Sequence, residues 1–335
     1  MFEGKKILIT GGTGSLGQAL AKRLLGLNAD TIRIFSRNEN KQIEMESKFH
    51  NKHLRFLIGD VRDYNRLTRA LEDVDIVFHA AALKHVPKIE YNPFEAIKTN
   101  VIGSQNVIDA CLHENVERAI CVGTDKAVSP LNTYGATKLL MEKLFVTANY
   151  YLNRQKHRTK FIALRYGNVL GSAGSVVPKF INQIKNKEKI TITDPSMTRF
   201  SITMDEALDF ILESTTIGEG SEVFVPKLKA YSVMDLKNVL IDLLGNFGEE
   251  VIGIRSGEKL HEVLINADEI RNTWELKNKY VIVNAFDTKK ETELVNHLKL
   301  KKSKFTGDYV SNRVEKISKE ELKQNILGSG LLNGV

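Results

Sequence analysis

Three glycines near the N-terminus place the strongest constraint on the fold of this chain. Gly11, Gly14 and Gly17 lie in the run ILITGGTGSLGQAL, between an apolar stretch typical of a buried strand and a stretch with helical periodicity. In that setting the glycines let the backbone approach a pyrophosphate at the positive N-terminus of the helix. The alternative is a glycine-rich turn without a ligand. We expect a dinucleotide to contact Gly11, Thr13, Gly14, Ser15, Leu16 and Gly17.

The first half of the chain alternates short apolar runs with longer amphipathic ones. This pattern predicts an α/β fold with a doubly wound parallel Rossmann sheet and a smaller substrate-binding lobe. The predicted strands are Lys6–Thr10, Ile32–Ser36, Leu54–Ile58, Asp75–Ala80, Ala119–Gly123 and Lys160–Arg165. The predicted helices between them are Gln18–Leu27, Tyr64–Leu71, Pro93–His113 and Thr137–Asn153.

The alternation stops after about Asn168, which predicts a change of domain. We assign residues 1–165 to the dinucleotide-binding domain, with some later segments returning to it, and 166–285 mainly to the substrate lobe. Further predictions are strands at 222–225 and 251–255 and helices at Val176–Asn186 and Ser232–Leu244. Residues 286–335 form a charged extension, mobile or docked, in which a capping box of Ser318 and Glu321 predicts a short helix.

Composition limits the partners and the compartment. The hydrophobic fraction of 42% and charged fraction of 27% are ordinary for a soluble globular protein. The net charge of +7 comes from lysines that alternate with acids, which favours surface solvation or a small anionic substrate over nucleic acid. No run approaches the roughly 18 apolar residues of a membrane span, and the N-terminus does not resemble a secretory signal. Cys111 and Cys121 lie in apolar segments, so we expect a cytoplasmic protein without disulfides, metal or membrane contact.

The end of the second predicted strand indicates which dinucleotide is bound. NAD enzymes usually place an acid there to hold the ribose 2′-hydroxyl. This chain instead has Ser36, Arg37 and Lys41, a hydroxyl and two cations that suit a 2′-phosphate and therefore NADP. Other residues at the same sheet edge are expected to line the cofactor: Asp60 and Val61 at the adenine, and Ala80 and Ala81 beside the dinucleotide.

A phenol and an ammonium lie four residues apart in Tyr134-Gly-Ala-Thr-Lys138. On a helix this spacing puts both side chains on one face, about 5–6 Å apart at Cβ. We expect the cation, with the charge of a nicotinamide, to lower the pKa of the phenol so that it can act as a base in alcohol oxidation. The pair also contacts the cofactor in this interpretation.

Together, the TGGTGSLG loop, the YGATK pair and the RYGNV stretch resemble the extended short-chain dehydrogenase/reductase family. Five further segments resemble its inverting UDP-N-acetylglucosamine 4,6-dehydratases, of the kind that opens pseudaminic acid biosynthesis. They are Thr124-Asp125-Lys126, AALKHVP (80–87), NVLGSAGSVVP (168–178), ITDPSMTRF (192–200) and IRSGEKLHE (254–262). The resemblance implies tightly bound, recycled NADP, contacted also by Lys84 and Val169, a UDP-sugar substrate, and a homo-oligomer, either a dimer or a hexamer.

The resemblance also assigns catalytic roles at residues 124–126. Lys126 would remove the C5 proton and Asp125 would protonate the leaving 6-hydroxyl, with Thr124 beside them. Both must then hold the less usual protonation state, a neutral amine and a carboxylic acid. Burial favours both states, whereas their mutual attraction opposes them. Retaining dehydratases usually have Asp-Glu here, so lysine indicates inversion; an ordinary solvated ion pair is the alternative.

The substrate contacts are expected from the resembling segments and from the sheet edge. Arginine suits a pyrophosphate and a carboxylate suits ribose or uracil, although each could be a surface ion pair. Leu16 replaces a phenylalanine common in the family, Ala173 stands where an arginine is often found, and FTGDYVSNR matches the family tail only loosely. The expected substrate-binding residues are Lys84, His85, Asn168, Val176, Asp194, Arg199, Arg255 and Glu258.

Two other functions remain open at this stage. A UDP-sugar 4-epimerase of the same family would share Tyr134 and Lys138 but would not need Asp125 and Lys126. A non-catalytic NADP-binding regulator would need none of these side chains, so their presence counts against it.

Overall fold

The computed structural model describes residues 1–172, 174–283 and 288–332. The strands in these residues are β1 Lys6–Thr10, β2 Thr31–Ser36, β3 Leu54–Ile58, β4 Ile76–His79, β5 Arg118–Val122, β6 Lys160–Leu164, β7 Asn168–Val169, β8 Ile190–Ile192, β9 Thr198–Ile202, β10 Glu222–Pro226, β11 Ala230–Ser232, β12 Glu249–Val251, β13 Val263–Ile265, β14 Thr273–Leu276, β15 Lys279–Val283, β16 Lys301–Lys302 and β17 Tyr309–Val310. Ten of them form the main sheet, in the order β16-β14-β15-β10-β6-β5-β4-β1-β2-β3.

Helices cover both faces of this sheet, as the alternating sequence pattern predicts. The helices are α1 Ser15–Gly26, α2 Glu39–Phe49, α3 Tyr64–Leu71, α4 Val86–Tyr91, α5 Pro93–Ala96, α6 Gly103–His113, α7 Thr133–Ala148, α8 Val176–Lys185, α9 Met204–Ile217, α10 Val233–Leu244, α11 Thr288–His297 and α12 Lys319–Gly328. Strands β1 to β6 and β10 pair in parallel, and β14, β15 and β16 complete the sheet in antiparallel fashion. The fold is therefore a doubly wound Rossmann-type sheet, as predicted.

The alternation of strand side chains divides the core into two layers. Ile7 and Ile9 of β1 pack with α1 and α9 on one face, while Leu8 between them packs with α3, α6 and α7 on the other. Cys111 and Cys121 are buried, free thiols in the second layer. Because successive strand residues point to opposite faces, continuous apolar runs are what a sheet covered on both sides requires.

A third apolar cluster lies apart from the sheet. It joins α8, α10 and α12 with residues of β8 and β11. The later chain is divided between the two parts, because β10, β14 and β15 belong to the main sheet although they fall within residues 166–285. The charged tail is docked: β16 adds to the main sheet, β17 pairs with β13, and α12 packs against α10.

Several predicted boundaries differ from the structure. The helix predicted at Thr137–Asn153 spans Thr133–Ala148, and the one predicted at Pro93–His113 is interrupted by a π-helical turn over Ile97–Ile102. The strand predicted at 251–255 is wrong, since β12 ends at Val251. Ser318 caps α12 through the Glu321 amide as expected, whereas the Glu321 carboxylate accepts a hydrogen bond from Lys229.

The described residues lack two kinds of feature, a helix that could span a membrane and a cluster of metal-binding side chains. No helix there has the length and apolar character needed to cross a membrane. No group of three or more histidine, cysteine, aspartate or glutamate side chains in the same residues is arranged to hold a metal ion.

Candidate active site

The glycine loop joins β1 to α1 at the carboxyl edge of the parallel strands. Gly11 has φ of +69°, and a Cβ there would lie 2.9 Å from the backbone of Ala81. A Cβ at Gly17 would lie 2.5 Å from the backbone of Gly12. Both positions therefore require glycine for the loop to pack between α1 and the end of β4. Gly14 occupies the N-cap of α1, and within the described residues no side chain caps its free amides.

A cavity of about 540 Å³ opens above this loop. Every residue expected to contact the cofactor lines it: Gly11, Thr13, Gly14, Ser15, Leu16, Gly17, Ser36, Arg37, Lys41, Asp60, Val61, Ala80, Ala81, Lys84, Tyr134, Lys138 and Val169. The volume is in the range of cofactor sites, and the uncapped N-terminus of α1 supplies amide donors for a phosphate. The cavity therefore fits a nicotinamide dinucleotide. Sequence reasoning missed further lining residues, among them Gly59, Thr99, Gly123, Tyr166, Ser172 and Met204.

The corner of the cavity at the end of β2 carries the two cations expected to read a ribose phosphate. Arg37 is half exposed and lies 3.6 Å from the carboxylate of Asp60, which also forms an ion pair with Arg62 at 2.6 Å. The Ser36 hydroxyl accepts a hydrogen bond of 3.0 Å from Gln42. A 2′-phosphate here would compete with Asp60 for the Arg37 guanidinium.

Lys138 lies deep below the cavity on α7. Its Nζ donates to the Val122 carbonyl at 2.7 Å and contacts the Met141 sulfur at 3.2 Å. Burial lowers the pKa of Lys138 to about 8, only partly offset by Cys121 and Glu142. The helix starts one residue before Tyr134 because the Asn132 side chain accepts a hydrogen bond from an amide of its first turn.

The phenol of Tyr134 differs from the sequence expectation. Burial raises the pKa of Tyr134, and although Lys126 and a hydrogen bond with Thr124 act in the opposite direction, the net shift is upward. The expected lowering by Lys138 is therefore wrong for the chain without ligands. The cation that favours the phenolate is Lys126 instead, which faces Tyr134 from the end of β5.

Lys126 does not itself line the cavity but lies against Asn168, which does. Its Nζ lies 3.0 Å from Asp125 Oδ1, 3.1 Å from Asn168 Oδ1 and 3.5 Å from Glu262 Oε1. Burial lowers the pKa of Lys126, but the carboxylates of Asp125 and Glu262 outweigh it and raise the pKa above its ordinary value. The two carboxylates therefore oppose the neutral amine that the elimination requires, and the neutral state of Lys126 stays a prediction.

Asp125 is the most enclosed member of this group. Its side chain is fully buried in the short 3₁₀ turn Asp125–Ala127, and Oδ1 accepts from both Thr124 Oγ1, at 2.9 Å, and Lys126 Nζ. Oδ2 has no hydrogen-bond partner among the described residues. An unsatisfied buried carboxylate oxygen is costly, so it marks a position where a proton or a substrate hydroxyl would be stabilised.

Arg199 and Glu262 extend this group, and of the two only Arg199 was predicted from the sequence. Arg199 Nε lies 3.7 Å from Glu262 Oε1, while its guanidinium also donates to the carbonyls of Thr198 and Leu260. Glu262 was not among the candidates, although it ends the segment IRSGEKLHE. The structure therefore joins Lys126, Glu262 and Arg199 into one charged cluster.

Of the other expected substrate residues, two line the cavity and two lie at the starts of helices α4 and α8. Lys84 and Asn168 line the cavity, and His85, at the N-cap of α4, lies next to Gly174. Val176 begins α8 and packs on the third apolar cluster.

Asp194, Arg255 and Glu258 do not line the cavity. Asp194 accepts hydrogen bonds from the amide and hydroxyl of Ser196, at 2.8 and 2.6 Å, and so stabilises its own turn. Arg255 and Glu258 are 3.6 Å apart in an exposed pair, beside Lys179.

Comparison with known proteins agrees with this arrangement. A family model described as polysaccharide biosynthesis protein matches residues 7–284. The inverting UDP-N-acetylglucosamine 4,6-dehydratase of Campylobacter jejuni subsp. jejuni is 49% identical over 284 residues, 84% of each chain. The UDP-glucose 4-epimerase of Rickettsia bellii is 41% identical over 333 residues, 98% of this chain and 96% of that one. The X-ray structure of Pen from Bacillus thuringiensis superposes with a TM-score of 0.90 at 40% identity and covers 99% of both chains.

These matches exceed what a shared fold alone would give, because identities of 40% and more extend over 84% of this chain or more. This chain therefore belongs to the polysaccharide biosynthesis protein family of extended short-chain dehydrogenases/reductases.

Proposed function

We propose that this chain is an NADP-dependent UDP-N-acetylglucosamine 4,6-dehydratase that inverts C5 of the sugar. The observation that carries the proposal is the position of Lys126. Its amine contacts Asp125 and Asn168, and Asn168 lines the dinucleotide cavity together with Thr124 and Tyr134. The Campylobacter relative, named for this reaction, supports the substrate and the outcome.

The first step is oxidation of the C4 hydroxyl. When bound, the nicotinamide supplies the hydride chemistry, accepting a hydride from C4 and returning it to C6. Tyr134 takes the hydroxyl proton, for which the phenol must be ionised. The Lys126 ammonium and the Thr124 hydroxyl favour that ionised form. Lys138 stabilises the bottom of the cavity by donating a hydrogen bond from Nζ to the Val122 carbonyl.

Elimination then uses Asp125 and Lys126 as a pair. Transfer of one proton from Nζ to Oδ1, across the 3.0 Å hydrogen bond, gives a neutral amine and a carboxylic acid together. The amine removes the C5 proton, made acidic by the neighbouring ketone, and the acid protonates the 6-hydroxyl, which leaves as water. Lys126 is then an ammonium and Asp125 a carboxylate again, so the elimination restores the starting state. When the hydride returns to C6, C5 takes up a proton from solvent on the face opposite the one that Lys126 deprotonated, which inverts that centre.

The choice of NADP rests on the end of β2. Arg37 and Lys41 line the cavity where the adenosine ribose of a dinucleotide lies in this fold, next to the Ser36 hydroxyl. A 2′-phosphate there would pair with two cations, Arg37 and Lys41. It would replace Asp60 as the partner of Arg37. Because the hydride returns to the sugar, the cofactor is recycled and stays tightly bound.

The remaining assignments complete the proposal. Residues 1–165 with the returning strands bind NADP, and residues 166–285 mainly bind the sugar nucleotide. Residues 286–335 are an extension that contacts both parts, since β16 joins the main sheet and α12 packs against α10. Arg255 would bind the UDP pyrophosphate and Glu258 the uridine. The enzyme would be a cytoplasmic homo-oligomer, a dimer or a hexamer, that acts on a UDP-sugar without nucleic-acid or membrane partners.

A UDP-sugar 4-epimerase is the second candidate, favoured by the Rickettsia relative, which bears that name. Epimerisation needs Tyr134 and Lys138 but neither the base nor the acid at 125 and 126. Mass spectrometry of the product from UDP-N-acetylglucosamine distinguishes the two, because dehydration removes one water and epimerisation leaves the mass unchanged.

The Lys126→Ala variant tests the assignment of the base. We expect water loss to fall by about 10²–10⁴-fold. Reduction of the bound cofactor by the sugar should be slowed less, because Lys126 favours ionisation of Tyr134 but does not take the C4 hydroxyl proton itself. Lys229→Ala is the matched control, since Lys229 also pairs with two carboxylates, Glu315 and Glu321, but on the surface away from the cavity. Full turnover by the Lys126 variant would contradict the proposal.

A further inference from the structure

Glu262 is a buried carboxylate next to the proposed base. Only 3% of the residue is exposed, Oε1 is 3.5 Å from Lys126 Nζ, and Oε2 has no hydrogen-bond partner among the described residues. A carboxylate in such a place is costly unless its charge is used. Its backbone is fixed from both sides, because the amide donates to the Ser311 hydroxyl and the carbonyl accepts from the Ser311 amide, each at 2.9 Å.

Two hydrogen-bond acceptors and one ion-pair partner surround Lys126 Nζ. Asp125 Oδ1 and Asn168 Oδ1 accept hydrogen bonds at 3.0 and 3.1 Å, and Glu262 Oε1 lies 3.5 Å away as an ion-pair partner. Both carboxylates attract the ammonium, and a neutral amine loses that attraction. The Lys126 side chain is 24% exposed, and the two hydrogen bonds and the Glu262 contact fix the direction of Nζ.

We propose that Glu262 is a positioning residue of the dehydration step, which fixes the Lys126 amine toward C5 of the sugar and holds it protonated until Asp125 takes the proton. The inference rests on the proposed function and adds to it a residue that contacts neither cofactor nor reacting atoms. Arg199 lies 3.7 Å from the same oxygen, so Glu262 Oε1 is placed between two cations, Lys126 and Arg199.

Charge around Lys126 determines when the base becomes available. The carboxylates of Asp125 and Glu262 raise its pKa, whereas burial and the Arg199 cation lower it. Removing the Glu262 charge alone should therefore let Lys126 lose its proton at lower pH. The titratable groups facing the cluster are Asp125, Tyr134, Arg199, Tyr231, Lys259 and Glu262.

The experiment measures water loss and C5 exchange with deuterated solvent across pH, using the NADP-loaded enzyme and UDP-N-acetylglucosamine. In Glu262→Gln we expect the acidic limb of both profiles to move to lower pH by about one to three pH units, with a lower rate at the plateau. Glu262→Asp withdraws the carboxylate by one methylene and should shift the limb in the same direction by less. Glu315→Gln, which removes an exposed carboxylate that pairs with Lys229, should leave the profile unchanged.

A purely structural role would lower the rate equally at every pH, so the position of the limb decides between the two explanations. An unmoved limb in whichever Glu262 variant folds overturns the inference. If the wild-type enzyme itself releases no dehydrated product, the proposed function fails and the inference fails with it. If the wild-type enzyme dehydrates the sugar but the acidic limb does not move in the Glu262 variant, the inference is overturned and the proposed function stands.

Discussion

Replacing Arg165 by methionine should destabilise the fold strongly, because this side chain joins three parts of the site. Its five N–H donors are all used: two bonds go to Glu142 of the Tyr134 helix, two to Glu269, and one to the Leu264 carbonyl. Arg165 and Glu142 are each about 1% exposed. Arg165→Met leaves the Glu142 carboxylate buried without a cation.

The size of the effect follows from that geometry. Losing one partner of a buried ion pair costs about 3–5 kcal/mol. With an unfolding entropy of about 2.1 cal/mol/K per residue, a chain of 335 residues should show a Tm lower by about 4–7 °C. Arg23→Met is the matched control, since Arg23 pairs with Asp205 and Asp209 at the surface, and it should cost about 0–1 kcal/mol.

Urea unfolding and thermal melts of the single and double variants test this reasoning. Removing both charges, in Glu142→Met with Arg165→Met, should recover part of the lost stability because no unpaired carboxylate remains on the helix. A loss in Arg165→Met no larger than in the Arg23 control would refute the argument. A double variant that is less stable than Arg165→Met by about 3–5 kcal/mol, the cost of losing one partner of a buried ion pair, would also refute it.

Three further predictions concern the base, the cofactor and the pH dependence of stability. Tyr134→Phe should reduce sugar-dependent cofactor reduction by about 10²–10⁴-fold and leave cofactor binding intact; equal loss of binding by calorimetry would argue for a structural role. Arg37→Ala should weaken NADP binding by about tenfold or more and leave NAD binding unchanged; an equal effect on both would contradict the 2′-phosphate assignment. Burial raises the pKa of Glu222 to about 7, so between about pH 4.5 and 7 the folded state holds a proton that the unfolded chain has released. Wild-type stability should therefore fall relative to Glu222→Gln as pH rises through that window, by about 3 kcal/mol at most; a constant difference in urea unfolding would show the group to be already ionised.

The strands of the sheet were accessible to sequence reasoning because their signal is local. The predicted bounds of β1, Lys6–Thr10, and β3, Leu54–Ile58, agree with the structure. β1 is covered on both faces and is a continuous apolar run, whereas β3 is an edge strand of which only Leu54 is buried. Helix α2, Glu39–Phe49, was not predicted. Only Gln42 and Met45 of that helix are buried, so its sequence lacks an apolar stripe.

The charged cluster could be predicted only in part, because its members meet through long-range folding. Asp125 and Lys126 are adjacent in sequence and follow β5, which made them visible as a pair. Glu262 reaches them through the bridge between Thr198 and His261 and the backbone bonds to Ser311, which no local pattern reveals. For the same reason the contribution of Glu262, which adds to that of Asp125 in raising the pKa of Lys126, was not foreseen.

Proton NMR of the product formed from UDP-N-acetylglucosamine in deuterated water tests the central claim most directly, using the wild-type enzyme loaded with NADP. The account predicts a 4-keto-6-deoxy sugar nucleotide, lighter by one water, with inverted configuration at C5 and solvent deuterium at that carbon. A C4 epimer of unchanged mass, or a dehydrated product with its original C5 configuration, would contradict it.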